Sequence, residues 1–156
     1  MNWKAIFGLG SVVALLGWGM LLGGDLFLFV DPVTQLMVVG VTLGLLLLTH
    51  GLEATVGSLV GGMGRLLYPR YFTVWTSEEA QRAGRVASSA VRFSLVACTL
   101  GGVIGLVAML RLLEEPARIG DAMAVMMNAG FHALILVGMW FLPIARRFGS
   151  AGGSAE

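Results

Sequence analysis

The sequence predicts an all-α membrane protein in which four helices cross the bilayer. Hydrophobic residues make up 57% of the 156 residues and charged residues only 12%, and the mean hydropathy is +0.87, well above the balance of a soluble domain. Four stretches without Asp, Glu, Lys or Arg are eighteen to twenty-four residues long, and a helix needs about 20 residues to span the hydrocarbon core. Their lack of period-2 alternation argues against barrel strands. The spans are expected at 5–24, 32–52, 90–110 and 122–145.

The basic residues are distributed unevenly among the connections between these spans. Eight of the ten lie at the N-terminus, in the long link up to Arg92 or after the fourth span, and only Arg111 and Arg118 lie in the short connections. The positive-inside rule therefore places both termini and the link 53–89 in the cytoplasm. Residues 1–148 are expected to form one membrane domain, followed by a flexible tail at 149–156. The near balance of basic and acidic residues gives no reason to expect a nucleic-acid partner.

The link between the second and third spans contains a helix start signal. Thr76 and Glu79 fit a capping box, and the residues that follow contain no proline and a single glycine before the apolar run. We expect a helix that begins near Ser77 and continues through the third span to Leu110. Its first part would project beyond the bilayer, and the link would contribute a short amphipathic cytoplasmic segment.

The apolar runs of the four spans contain no Asp, Glu, Lys or Arg. No HExxH, GxxxxGK or Ser/His/Asp constellation is present, and the single Cys98 excludes a disulfide framework or a thiol cluster. We therefore expect neither enzymatic activity nor a cofactor. An ion pathway normally exposes an ionisable group at membrane depth, so this chain would have to borrow one from a partner.

An asparagine and two histidines lie within or at the end of a span. Asn128 and His132 are four residues apart and share a face of the fourth span. Polar side chains at this depth usually form hydrogen bonds across helices, and ion passage and metal binding are the alternatives. His50 and Glu53 are expected to form a surface-level pair that fixes the end of the second span.

Small residues recur on one face of the third span. Ser94, Cys98, Gly101 and Gly105 follow one another at spacings of four, three and four, which allows another helix to approach closely. Two roles are open for this face. It could pack helices together within the membrane, or it could line a narrow shared pore.

The order and spacing of these features resemble the MotA/TolQ/ExbB family of proton-channel subunits, and MotA most closely. The segment LLGGDLFLFVDPVTQLMVVGVTLGLLLLTHGLE is similar to the family's glycine pair, short external turn and second span. The segment from LGGVIGLVAML to MWFLPIARRF follows its third span, external loop and fourth span. The resemblance implies a bacterial inner-membrane ring, typically a pentamer, around two transmembrane helices of a MotB, TolR or ExbD type partner. That partner carries the proton-binding aspartate.

The chain departs from the family pattern at both pore threonines, and also at Leu95, where the family has a proline. Gly102 and Gly130 stand where the family usually has threonines, which leaves room for water but no oxygen to bind a sodium ion, so protons are favoured. Asn128 and His132 are each two residues from Gly130, roughly 200° around the helix, and are expected to face a neighbouring helix or subunit. The resemblance gives a candidate pore side that consists of Ser94, Cys98, Gly101, Gly102, Gly105 and Gly130.

The predicted function is a ring-forming subunit of a proton-driven membrane motor, which converts ion flow into rotation or force. The link is much shorter than in flagellar subunits, which favours a force-transmitting or energising system other than the flagellar rotor. Two alternatives stay open. One is a non-conducting MotA-like scaffold, and the other is an independent small channel or transporter that uses His50 and His132.

Overall fold

The computed structural model describes residues 2–24, 29–71, 75–113 and 118–149. These residues form helices and short connections, and no strand occurs among them. The elements are α1 (Trp3–Leu22), α2 (Pro32–His50), α3 (Leu52–Leu67), α4 (Ser77–Arg111), α5 (Ile119–Ile135), a π-helical segment (Leu136–Phe141) and α6 (Leu142–Gly149). The last three form one continuous run. This run, α1, α2 and α4 are each long and apolar enough to cross a membrane, which confirms the prediction of four such helices. The expected tail lies outside the described residues except for Gly149, which ends α6.

Helix α1 is attached to the rest of the chain mainly at its start. The Asn2 backbone N–H donates to the Leu67 carbonyl at 3.2 Å, and the Asn2 side chain caps the helix by accepting from the Ala5 N–H. No residue of α1 is buried. An apolar cavity of about 260 Å³ separates α1 from Met63 of α3 and Met139 of the π-helical segment. The apolar surface of α1 is therefore left for lipid or for another chain.

Helix α2 has a clear beginning and end. Asp31 caps it by accepting from the Val33 N–H at 3.1 Å, and Pro32 occupies the first helical position, where its missing N–H costs nothing. The helix ends at His50 because Gly51 has a φ of +77°, a conformation that favours glycine. The chain therefore changes direction at the basic end of α2.

Helix α3 is an element that the span-and-link prediction did not contain. Residues 52–67 form a helix within the expected link, although four of its sixteen residues are glycine and glycine disfavours helix. Tertiary contacts account for the difference. Leu59 packs with Leu46, Val86 and Phe141, and burial of such a face stabilises helices that propensity alone would not.

Helix α4 is the central helix of the fold and packs against α2, α3, α5 and α6. It begins at the predicted capping box: Thr76 Oγ1 accepts from the Glu79 N–H at 3.3 Å, and Glu79 Oε2 accepts from the Thr76 N–H at 2.8 Å. That second bond holds the pKa of the Glu79 carboxyl below its usual value. The predicted long helix from Ser77 is confirmed, and it ends at Arg111.

The fourth membrane helix is longer than the expected 122–145 and changes type along its length. Its π-helical segment ends two residues before Pro143. Proline has no N–H to donate to the carbonyl of Met139, so the α-helical ladder is interrupted there and a local π turn is accommodated. Beyond this segment, α6 continues the helix and packs against α4. A Cβ at Gly84 would lie 2.7 Å from the Gly149 nitrogen, so this approach depends on glycine.

Candidate functional site between helices α4 and α5

Two glycines of α4 allow α5 to approach closely. A Cβ at Gly101 would lie 2.6 Å from the Cβ of Ala129, and a Cβ at Gly105 would lie 2.8 to 2.9 Å from the Cβ, Cα and N atoms of Met126. Real side chains do not approach to such distances, so only glycine fits at both positions. The predicted helix-packing role of this face is confirmed, and the packed helix belongs to the same chain.

Ser94 connects α4 to α2 inside the chain. It is fully buried, and its hydroxyl lies 3.4 Å from the Thr42 hydroxyl, which donates to the Val38 carbonyl at 2.7 Å. Hydroxyl contacts of this kind join helices within membranes. Ser94, Gly101 and Gly105 are thus covered by helices of their own chain. They are three of the six residues expected on the pore side.

The other three expected pore residues lie together at an accessible seam. Cys98, Gly102 and Gly130 are each half-buried. A Cβ at Gly130 would lie 3.9 Å from Cys98 Sγ, and a Cβ at Gly102 would lie 3.9 Å from Met126 Cγ, both ordinary van der Waals distances. We call Cys98, Gly102, Met126 and Gly130 the α4–α5 seam. All four residues are half-buried and so partly accessible from outside the chain.

The chemistry of the α4–α5 seam is limited by its side chains. It offers one thiol, one thioether and two glycines, and therefore no carboxylate or hydroxyl oxygen that could replace the hydration shell of an ion. Among the described residues no group of three His, Cys, Asp or Glu side chains could hold a metal ion. The four seam residues include no carboxylate or imidazole that could bind a proton.

Asn128 and His132 lie outside the seam. Asn128 is half-buried, and His132 is 8% exposed with its ring edge-on to Phe131 at a centroid distance of 5.9 Å. Within the described residues Nδ1 of His132 has no hydrogen-bond partner. His132 is held by packing.

His50 neither pairs with Glu53 nor lies close to His132. His50 ends α2 and Glu53 begins α3, and the turn at Gly51 directs them to different cavities. No hydrogen bond joins the two side chains, both of which are described, so the predicted pair is not formed. Val38 lies beside Ala129 and Ala133, which flank His132, and the twelve residues from Val38 to His50 span about 18 Å of helix. His50 and His132 therefore do not form one site.

Met126 is a seam residue that the sequence interpretation missed. It lies four residues before Gly130 and so on the same helix face, and that spacing was the signal that could have identified it. Its backbone meets Gly105 and its side chain meets the Gly102 position. Met126 therefore sets the width of the seam.

Comparison with known proteins gives no match: neither a protein-family model nor a curated protein matches this chain.

Proposed function

We propose that this chain is a ring-forming subunit of an ion-driven membrane motor, similar to the MotA/TolQ/ExbB subunits that its sequence resembles. In the proposed assembly, about five copies surround two helices of a single-span partner that carries a membrane aspartate, with the α4–α5 seam directed towards the partner. The observation that carries the proposal is this seam. It is an accessible row of small residues on membrane helices whose apolar runs contain no Asp, Glu, Lys or Arg.

A row of small residues suits a surface against which another helix moves. Glycine positions allow close approach and offer no side chain that would lock into the partner. A charged carboxylate at membrane depth is costly unless water or polar groups reach it, and the space at Gly102 and Gly130 is where water can enter. These spans of the chain contain no acidic group. In the proposed assembly the partner therefore binds the proton, and the ring supplies the surface along which the partner helix moves.

The length of α4 supports a role in force transmission. Its 35 residues correspond to about 52 Å, whereas the hydrocarbon core is about 30 Å thick. The part before the apolar run that follows Arg92 would project on the basic side, which is cytoplasmic by the positive-inside rule. In this part Val86 and Ala87 are buried and pack against α3, the π-helical segment and α6. These contacts fix the projecting end of α4 to the rest of the chain.

Ion conduction is tested in proteoliposomes that contain the chain and its partner, the single-span, aspartate-bearing protein expected from a neighbouring gene. We expect an imposed membrane potential to acidify the lumen, and replacement of the partner's aspartate by asparagine to stop it. Gly130→Val narrows the seam and should lower the flux. Gly40→Val is the matched control, because a Cβ at the exposed Gly40 meets no atom within 4 Å. Equal fluxes in the two glycine variants would remove the seam from the proposed pathway.

A non-conducting scaffold is the second candidate function, and one observation favours it. The seam contains no hydroxyl or charged side chain, so it contributes nothing that binds an ion directly. In this case the same proteoliposomes would hold an assembled complex of the chain and its partner, and their lumen would not acidify.

A further inference from the structure

A polar cavity lies at the basic end of the bundle, away from the α4–α5 seam. Its volume is about 580 Å³, and it is bounded by His50 at the end of α2, by α4 and by Gly149 at the end of α6. Helix α4 contributes Arg85, Ser88, Ser89 and Arg92 to its lining, and no acidic residue lines it. The cavity therefore carries net positive charge.

The two arginines of this cavity are arranged to act on one ligand. Arg85 and Arg92 are seven residues apart and hence on the same face of α4, about 10.5 Å apart along its axis. Both are exposed, and within the described part of the chain neither forms a hydrogen bond or an ion pair. Arg65, by contrast, stacks on Trp75 at 4.0 Å and donates to the Gly61 carbonyl. Unpaired guanidinium groups beside serine hydroxyls are the donors that bind phosphate oxygens.

The same helix face becomes apolar directly after Arg92. The next eighteen residues contain no charged side chain, and Leu95 and Val96, which continue the face of Arg92, are about half exposed. Arg92 therefore marks the border between the polar end of α4 and the part that is apolar enough to lie in the bilayer. A ligand held by both arginines would have its phosphate in the cavity and apolar surface directly below it.

We propose that this cavity binds the phosphate of an anionic phospholipid in the leaflet at the basic end of the bundle. The phosphodiester is held by Arg85 and Arg92, and the acyl chains run along the face that begins with Leu95 and Val96. Basic pockets between membrane helices on the cytoplasmic side bind anionic head groups in this way. The continuous apolar surface favours a lipid over a free phosphate. The inference does not depend on ion conduction or on a partner protein.

Native mass spectrometry of the full chain in a nonionic detergent tests the proposal with dioctanoyl phosphatidylglycerol as the probe. We expect saturable binding of one phosphatidylglycerol per chain and much weaker binding of dioctanoyl phosphatidylcholine. Each arginine near a membrane surface contributes about fivefold to anionic lipid affinity, so Arg85→Gln/Arg92→Gln should weaken binding about thirtyfold. Arg85→Lys/Arg92→Lys keeps both charges at these exposed positions and should retain most of the affinity, so it serves as the second variant if the glutamine variant does not fold.

The matched control is Arg70→Gln/Arg147→Gln, which removes the same charge from exposed positions outside the cavity lining. We expect it to bind phosphatidylglycerol as the unmodified chain does. Equal losses in the two glutamine variants would overturn the site, and so would equal binding of phosphatidylcholine. Sodium phosphate is the third probe. Displacement of the lipid by phosphate at equal concentration would show a soluble phosphate site and refute the lipid assignment.

Discussion

Replacing Gly105 by alanine probes the contact between α4 and α5 with a single methyl group. The added Cβ would lie 2.8 to 2.9 Å from three atoms of Met126, two of which are backbone atoms. Ordinary contacts at such positions are 3.4 to 4 Å, so α5 has to move away by about half an ångström. A rotamer change cannot relieve this clash, because the backbone itself is in contact.

The magnitude follows from a comparison with Gly102→Ala on the same helix. At Gly102 the new Cβ would lie 3.9 Å from Met126 Cγ, an ordinary distance. Both variants gain the same intrinsic preference of alanine for helix, at most about 1 kcal/mol. That gain cancels in the difference, which isolates the cost of overpacking at Gly105, about 1 to 3 kcal/mol. We expect Gly105→Ala to destabilise the fold and Gly102→Ala to leave it unchanged or slightly more stable.

The assay is unfolding in mixed micelles with rising dodecyl sulfate, followed by far-ultraviolet circular dichroism. The free energy of unfolding is taken from the midpoint and slope of each curve, and the chain is studied without a partner so that only its own packing contributes. Equal midpoints for Gly105→Ala and Gly102→Ala would refute the close approach of α5 to Gly105, and with it the assignment of the seam to the neighbouring positions.

Four further predictions concern a buried hydroxyl, the two residues of the α4 cap and the thiol of the seam. Ser94→Ala removes the buried hydroxyl contact with Thr42 and should lower the free energy of unfolding by about 0.6 kcal/mol in the same assay. Thr76→Ala should cost about 1 kcal/mol as the loss of a helix cap. The pKa of Glu79 is lowered in the folded chain, so its carboxylate stabilises the fold above the ordinary pKa of 4.5, and this stabilisation is lost as the pH falls. Glu79→Gln should therefore reduce the fall in the free energy of unfolding between neutral and acidic pH. Cys98, the single thiol, should react with a membrane-impermeant methanethiosulfonate in the ring alone and be protected once the partner is added; equal labelling in both states would contradict the proposed direction of the seam.

The long helix α4 could be predicted because its signals are local. The capping box of Thr76 and Glu79 and the absence of proline are features of neighbouring residues, and the structure contains both the cap and the helix. The membrane spans could be predicted for the same reason, since length and hydropathy are read directly from the chain. Their ends differ from the expected ends by a few residues, which is the usual uncertainty where local signals are weak.

Helix α3 could not be predicted from local signals because its stability comes from distant contacts. Its glycines argue against helix, while Leu59 and Met63 are buried against α4, the π-helical segment and α6, which are distant in the sequence. The spacing of Leu59 and Met63, four residues, was the available hint. The π-helical segment is similar, since Pro143 indicates an interruption but not its geometry.

The structure divides the six residues of the candidate site into two sets. Spacing identifies which residues share a helix face, but it does not say which neighbour covers that face. Ser94, Gly101 and Gly105 are covered by α2 and α5 of the same chain. Cys98 and Gly102 lie on the adjoining side of α4 and remain partly accessible. Only the packing of the helices separates the two sets.

Native mass spectrometry of the tagged protein, gently extracted from its own host's membrane, tests the proposed function most directly. The proposal predicts a complex of about five copies of this chain with two copies of a small single-span protein that carries an aspartate near the start of its span. Copies of this chain without such a protein, or the chain alone, would contradict the motor assignment.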